Sequence, residues 1–321
     1  MRRVKRVLVT GGAGFIGSHL IDRLLQADAE IEVWCLDNLS TGSIDNIRHH
    51  LDDPRFHLVR HDVRLPLKPI PGDDRLDEIY HLACPASPMA YQSDPKGTLK
   101  TCFLGTLNVL SFALSHGSDQ TKTAPKVFLA STSEVYGDPE VHPQPESYAG
   151  HVRTVGPRAC YDEGKRAAEA LCWTYQEDLS IRIARIFNTY GPRMAIGDGR
   201  VIPNFLKAAL NQEPLVVYGD GQQTRSFQFV DDLVEGIIRL MAQPQSWILV
   251  NLGRPEECTI AELAKLVIKY TGSQSIIQYT QAAPIDDPKR RLPDISLARE
   301  RLGWEPKVAL AEGLRRMLPQ L

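Results

Sequence analysis

The six cysteines, at positions 35, 84, 102, 160, 172 and 258, stand apart with no Cys-x-x-Cys pair, which argues against a disulfide framework or a zinc site and suits reduced thiols. A long apolar run behind the basic start is missing too. The stretch behind the basic start of MRRVKRVLVTGG is too short for a signal-peptide core or a membrane span. Nor is one sign of charge in excess. With 37 basic and 39 acidic residues, no bulk field draws nucleic acid or an anionic membrane, so neither is expected as a partner. Any anionic ligand has to be held by local groups. The nine histidines form no metal-ligand pattern; His19 and His81 read as core or surface residues, and no metal is expected. Internal repeats and low-complexity tracts are lacking. What is present, 43% hydrophobic and 24% charged residues over 321 positions, suits a cytoplasmic protein of one large or two modest domains.

Short β-branched apolar runs alternate with longer helical patterns, which predicts parallel strands joined by crossover helices. Strands are expected at Arg6 to Thr10, Ile31 to Asp37, Phe56 to His61, Asp77 to Leu82, Lys126 to Ser131 and Ile181 to Phe187. Helices are expected over Phe15 to Ala27, Thr98 to His116 and roughly Tyr161 to Asp178. Six such strands make a doubly wound, Rossmann-like α/β sheet in residues 1–187. Past Asn188 the pattern loosens around Pro192, Pro203 and Pro214. Residues 188–321 therefore read mainly as a smaller C-terminal substrate-binding domain, with some segments returning to the first. A capping box, Thr259 to Glu262, opens a late helix, and Lys68 to Arg75 and Gly117 to Pro125 read as exposed loops.

The run VTGGAGFIG, Val9 to Gly17, lies between a strand and a helix. Gly12, Gly14 and Gly17 satisfy one dinucleotide spacing, and Gly11, Gly14 and Gly17 a related one. Without Cβ atoms there, the backbone can approach a pyrophosphate whose charge rests on the helix N-terminus. Asp37 ends the second strand about twenty residues on, placed to accept from the adenosine ribose and repel a 2′-phosphate, so NAD is expected over NADP. Asp62, closing the third strand, is either an adenine contact or a turn residue.

Tyr161 and Lys165 lie four residues apart and share a helix face. The run STSEVYG, Ser131 to Gly137, follows the fifth strand, and its hydroxyls and carboxylate are expected in the same crevice. Together with TGGAGFIG, these features resemble the extended short-chain dehydrogenase/reductase family over nearly the whole chain. In that family the tyrosine is the base for a sugar hydroxyl, and the lysine holds the nicotinamide ribose and lowers the tyrosine pKa. Within it, HLACPASPMAYQSDP, TLKT, STSEVYGDPEVHPQPE, ARIFNTYGPRM and VYGDGQQTRSF look like the UDP-glucuronate decarboxylases, or UDP-xylose synthases.

The resemblance implies oxidation of UDP-glucuronate at C4, loss of carbon dioxide and return of the hydride to give UDP-xylose. It implies a catalytic set of Tyr161, Lys165, Thr132, Ser133, Glu134 and Arg291, with Thr132 at the C4 oxygen and Glu134 near C5. Cofactor contacts are implied for Phe15, Ile16, Asn38, Val63, Leu82 and Ala83 beside the glycines. Substrate contacts are implied for Pro85, Tyr91, Lys100, Asn188, Asn204, Tyr218, Arg225 and Arg291. Arg225 goes to the diphosphate, while Lys289, Arg290 and Arg291 also read as a solvated charge run. Glu134 also reads as a buried acid paired with a base. The resemblance further implies a homodimer through the helices at Thr98 to His116 and Tyr161 to Asp178. Ala149, Arg153, Thr154 and Pro203 depart from the family pattern in pocket-edge loops. The competing readings are a UDP-sugar 4-epimerase, a 4,6-dehydratase and a non-catalytic NAD-binding regulator. Dehydratases carry aspartate where this chain has Ser133, and a hydroxyl is too weak an acid to expel the C6 oxygen.

Overall fold

The computed structural model describes residues 3–70, 76–117, 124–197, 199–281 and 290–318. Residues 71–75 and 118–123 of the two expected loops, and Lys289 of the charge run, lie outside the described residues. The chain opens with β1 (Lys5–Thr10), α1 (Phe15–Ala27), β2 (Ile31–Asp37), β3 (Phe56–Arg60) and β4 (Glu78–His81). Three helices follow, α2 (Pro88–Ser93), α3 (Pro95–Lys100) and α4 (Thr106–Gly117), then β5 (Lys126–Thr132), α5 (Ala159–Thr174) and β6 (Ile181–Ile186). The later part holds α6 (Val201–Leu210), α7 (Val230–Met241), β7 (Trp247–Leu252) and α8 (Ile260–Thr271), among shorter pieces.

The sheet is parallel throughout, in the order β7-β6-β5-β4-β1-β2-β3. Both faces are covered, which is why β1 reads as an unbroken apolar run. Val7 and Val9 enter the core shared with α1 and α7, while Leu8 enters the core shared with α4 and α5. Strand order reverses between β1 and β4, so a crevice opens at the carboxyl ends there.

Six strands were expected, and the sheet has seven. The added one is β7, whose Trp247 to Leu252 run in register with Ile181 to Ile186 of β6. WILVNL has strand composition, but it follows the irregular region past Asn188, and its partner lies some 60 residues back, too far for local periodicity to show.

The expected helix Thr98 to His116 starts earlier, at Pro95, where the Asp94 carboxylate caps it by accepting from the Gly97 amide at 2.9 Å. It is interrupted by a π-helical turn at Thr101–Gly105. Hydroxyls at both ends of that turn bond carbonyls four residues back, Thr101 to Gly97 at 2.8 Å and Thr106 to Cys102 at 2.6 Å. By length and composition the run Pro95–His116 could cross a membrane; half of its most apolar window is buried inside the protein. Helix α5 stops at Thr174 and continues as turns rather than reaching Asp178. The Thr259 capping box is formed in both directions, the Glu262 amide donating to Thr259 Oγ1 at 3.1 Å and the Thr259 amide to Glu262 Oε2 at 2.9 Å.

Candidate active site

The glycine turn between β1 and α1 is packed as tightly as the spacing implied. Gly11 has a φ of 72°, and a Cβ there would stand 2.7 Å from the Ala83 amide nitrogen. A Cβ on Gly17 would drive into the Gly11 carbonyl. Such a cradle fits a pyrophosphate at the start of α1, with Gly14 as the N-cap and Phe15 and Ile16 half-buried in the first turn. Gly12 faces inward instead, toward Cys35 and Ile21.

Asp37 is buried and accepts from the Ala13 amide at 3.0 Å and the Leu39 amide at 2.8 Å. Burial pushes its carboxyl up, opposed by those two bonds. Each oxygen keeps a further lone pair, as a ribose contact requires. Asp62 forms a local turn, accepting from the Arg64 amide at 2.9 Å and pairing with the Arg64 guanidinium at 2.5 Å, which holds its carboxyl down at about 2. Asn38 Nδ2 donates to the same carboxylate at 3.3 Å. The turn reading therefore accounts for Asp62. Val63 is buried, packing where Gly105 of the π turn lacks a side chain.

His81, at the end of β4, is a core residue bridging Thr10 Oγ1 at 2.7 Å and Thr106 Oγ1 at 3.3 Å. Burial lowers it to about 3, keeping the ring neutral. His19 is tied to the Pro192 carbonyl at 3.0 Å. The expectation of no metal-ligand pattern meets one exception: His49 and His50 converge on Asp22, at 2.9 and 2.7 Å. That carboxylate is already paired with Arg193 at 2.7 Å.

Tyr161 and Lys165 lie on one face of α5, both buried, with the ammonium 5.9 Å from the phenol ring centroid. Lys165 Nζ donates to the Ala130 carbonyl at 2.8 Å, fastening α5 to β5. Tyr161 stacks on Tyr91 at 5.1 Å with planes 7° apart. The lysine was expected to lower the tyrosine; burial instead raises its phenol well above the ordinary value, the Cys84 sulfur adds to this, and a hydrogen bond with Thr132 opposes it.

The crevice expectation holds for part of STSEVYG. Thr132 and Glu134 point to the dyad, and Ser133 is buried at the head of a 3₁₀ turn, Ser133–Tyr136. Ser131, on the opposite face of the strand, donates to Glu169 of α5 at 2.5 Å and takes no part. Glu134 accepts from two guanidiniums, Arg158 on Oε2 and Arg291 on Oε1. Burial pushes its carboxyl up, but Arg291, Arg158 and Arg225 outweigh burial and hold it below the usual range. Arg291 also donates to the Gly137 carbonyl at 2.8 Å, while its buried Nε has no partner among the described residues. Its segment is held by Gln144, whose amide donates to the Leu292 carbonyl at 2.9 Å and whose carbonyl accepts from the Asp294 amide at 3.0 Å. Arg290 instead turns outward to Glu257 at 3.2 Å, so the charge-run reading holds for it and not for Arg291.

Two residues of this cluster were not expected. Arg158, just ahead of α5, and Asp162, four residues on, approach to 3.5 Å. Burial, then Glu134, raises the Asp162 carboxyl to about 7, and its buried Oδ1 has no partner among the described residues. The i, i+4 Arg–Asp pair around Tyr161 was the available signal. Among the implied substrate contacts, Arg225 is buried, with Nη1 donating to the Thr224 carbonyl at 2.8 Å. Asn188 and Pro85 are half-buried, and Lys100, Asn204 and Tyr218 are exposed.

Glu134→Gln leaves two buried guanidiniums without their counter-ion, a loss of about 3–5 kcal/mol for a broken buried pair. The folded carboxyl is lowered, so its contribution is complete above the ordinary glutamate value and fades as pH falls through the folded one. Thermal unfolding should show the variant well below the parent at pH 7, with the gap narrowing as pH falls below the ordinary glutamate value.

Residues 8–317 match the family described as GDP-mannose 4,6 dehydratase. The chain is 52% identical over 319 residues to UDP-glucuronic acid decarboxylase 4 of Arabidopsis thaliana, covering 99% of this chain and 68% of that protein. It is 52% identical to UDP-glucuronic acid decarboxylase 1 of Danio rerio, covering 98% and 72%. Among solved structures it is similar to the UDP-glucuronic acid 4-epimerase of Bacillus cereus in complex with UDP-glucuronic acid and NAD, with a TM-score of 0.86, 27% identity and 98% of each chain covered. With dyad, glycine cradle and a likeness over nearly the whole chain in agreement, the chain belongs to the GDP-mannose 4,6 dehydratase family and, within it, to the UDP-glucuronic acid decarboxylases.

Proposed function

We propose that this chain decarboxylates UDP-glucuronate to UDP-xylose through a 4-keto intermediate, with NAD restored in every cycle. The observation that carries the reading is Arg291, buried against Glu134 beside the dyad with a guanidinium N–H that lacks an acceptor among the described residues. Leaving such a donor unpaired costs about 1–3 kcal/mol, and a carboxylate is the group a guanidinium matches best. A sugar carrying a carboxylate therefore suits this site better than a neutral hexose. The names of relatives 52% identical support the same substrate.

NAD is supported by the cradle at Gly11, Gly14 and Gly17, by Asp37, and by the epimerase neighbour solved with it. When bound, it supplies hydride removal at C4 of the sugar and the return of that hydride. Tyr161 takes the C4 hydroxyl proton, with Thr132 bonded to its oxygen and Lys165 over its ring. A C4 ketone stands β to the carboxylate on C5, so the C5–C6 electrons pass into an enolate as carbon dioxide leaves. Tyr161 and Thr132 hold the enolate oxygen. Protonation at C5 draws on the cluster of Glu134 and Asp162, the latter partly protonated near neutrality. Arg225 supplies positive charge for the diphosphate.

We infer a homodimer through α3–α4 and α5, since Leu99, Phe103, Leu104 and Leu114 of the first run and Trp173 of α5 are exposed. A cytoplasmic setting is inferred from six free cysteines, and a net charge of −2 supports neither nucleic acid nor anionic membrane as partner.

Incubation with UDP-glucuronate should release carbon dioxide and give a nucleotide pentose by mass, with no net change in nicotinamide absorbance over many turnovers. A six-carbon UDP-galacturonate product would favour the epimerase, and a 4-keto-6-deoxy product from UDP-glucose the dehydratase. Tyr161→Phe keeps the stack on Tyr91 and removes only the phenolic oxygen. Turnover should fall about two to four powers of ten, with NAD affinity by calorimetric titration little changed.

A further inference from the structure

Two thiols meet beneath the dyad. Cys84 follows β4 directly after Ala83, whose amide packs on Gly11, and Cys102 lies in the π turn. Their sulfurs stand 3.3 Å apart. Cys102 is buried against α5: a Cβ on Gly164, between Tyr161 and Lys165, would stand 2.9 Å from Cys102 Cβ and 3.0 Å from its sulfur. Cys84 is half-buried. A bridge needs the sulfurs to close to about 2.05 Å. The π turn, an irregular point in the helix of a kind frequent at functional sites, is the element that has to give.

We propose that Cys84 and Cys102 form a disulfide on exposure to peroxide, reversible by thiol, that switches the dyad off. Cys84 is the attacking sulfur: the contact with Cys102 lowers its thiol to about 7, against burial and with help from the Lys165 charge, while Cys102 is raised. The Cys84 thiolate bonds to one peroxide oxygen, the O–O bond breaks, and the departing hydroxide is protonated to water. That leaves a sulfenic acid, with sulfur oxidised by two electrons and peroxide reduced. The Cys102 sulfur then attacks Cys84 sulfur, the S–O bond breaks, and hydroxide leaves with the Cys102 proton as a second water. Two thiols and one hydrogen peroxide become a disulfide and two waters.

Closing the bridge draws Cys102 off Gly164 and ties the π turn to the chain beside Gly11, disturbing the Tyr161–Lys165 pair and the cofactor cradle together. This loss of activity rests on the proposed reading of the dyad, whereas the bridge itself does not.

The reduced enzyme is titrated with hydrogen peroxide, and turnover is followed beside non-reducing peptide mapping by mass spectrometry. A linked peptide pair joining residues 84 and 102 should accumulate in step with the loss of turnover, and dithiothreitol should reverse both. Cys102→Ser, with Cys102→Ala as the apolar alternative, should start at parental activity and form no such pair, its Cys84 sulfenic acid instead being trapped by dimedone and, under excess peroxide, passing to the sulfinic acid that dithiothreitol does not reduce. Cys160→Ser should behave as the parent. Linkage through Cys160, a bridge that leaves turnover unchanged, inactivation of the parent without a bridge, or Cys102 variants whose Cys84 takes up no dimedone after peroxide would overturn the proposal. A chain without turnover before peroxide is added fails the earlier reading, and the mapping still decides whether the bridge forms.

Discussion

A carboxylate buried between two guanidiniums governs the arrangement around it. Glu134 loses its water on folding, a penalty of several kcal/mol that is recovered only if both Arg158 and Arg291 arrive in good geometry. Those three groups come from the turn after β5, the approach to α5 and a segment more than 150 residues further along. The backbone exchange between Gln144 and the Leu292–Asp294 stretch is the means by which the last of them is brought in. Asn251 at the end of β7 reinforces it, its side-chain amide donating to the Gln144 carbonyl at 2.9 Å and the Asp294 carbonyl at 3.0 Å. The seventh strand thus has a functional consequence: it holds the segment that presents Arg291.

The dyad depends on the opposite kind of support. Lys165 is fixed to a backbone carbonyl of β5 and Tyr161 is stacked on Tyr91, so their separation is set by a rigid helix on a rigid sheet. Burial by itself keeps Tyr161 protonated and so unable to take a proton. Positive charge has to come close for the phenol to release its proton, and the crevice beside it is shaped for a cofactor that carries one. Protein groups set the position of the chemistry, and the ligands complete its electrostatics.

The nucleotide-binding half was legible because its signals are local. Glycine spacing, the strand ending at Asp37 and the i, i+4 dyad each lie within a window that periodicity can read. Ser131 was misplaced by treating a run of residues as one surface, when strand alternation sends its hydroxyl to Glu169. Arg290 and Arg291 are neighbours with opposite fates, and nothing in KRRLPD separates them; only the fold decides which guanidinium meets Glu134. Arg158 escaped for the same reason, as its partner across the site is 24 residues away and carries no spacing signature. The π turn was missed because hydroxyl bonds back to helix carbonyls leave composition unchanged.

The central claim is that carbon is lost from C5 of the sugar and replaced there by a proton, while the hydrogen at C4 leaves and returns without meeting solvent. Turnover of UDP-glucuronate in deuterium oxide, followed by NMR of the nucleotide sugar, tests it directly. The account predicts UDP-xylose with one deuteron at C5, on a single face, and none at C4. Deuterium at C4, or a product that still carries its carboxylate, would contradict it.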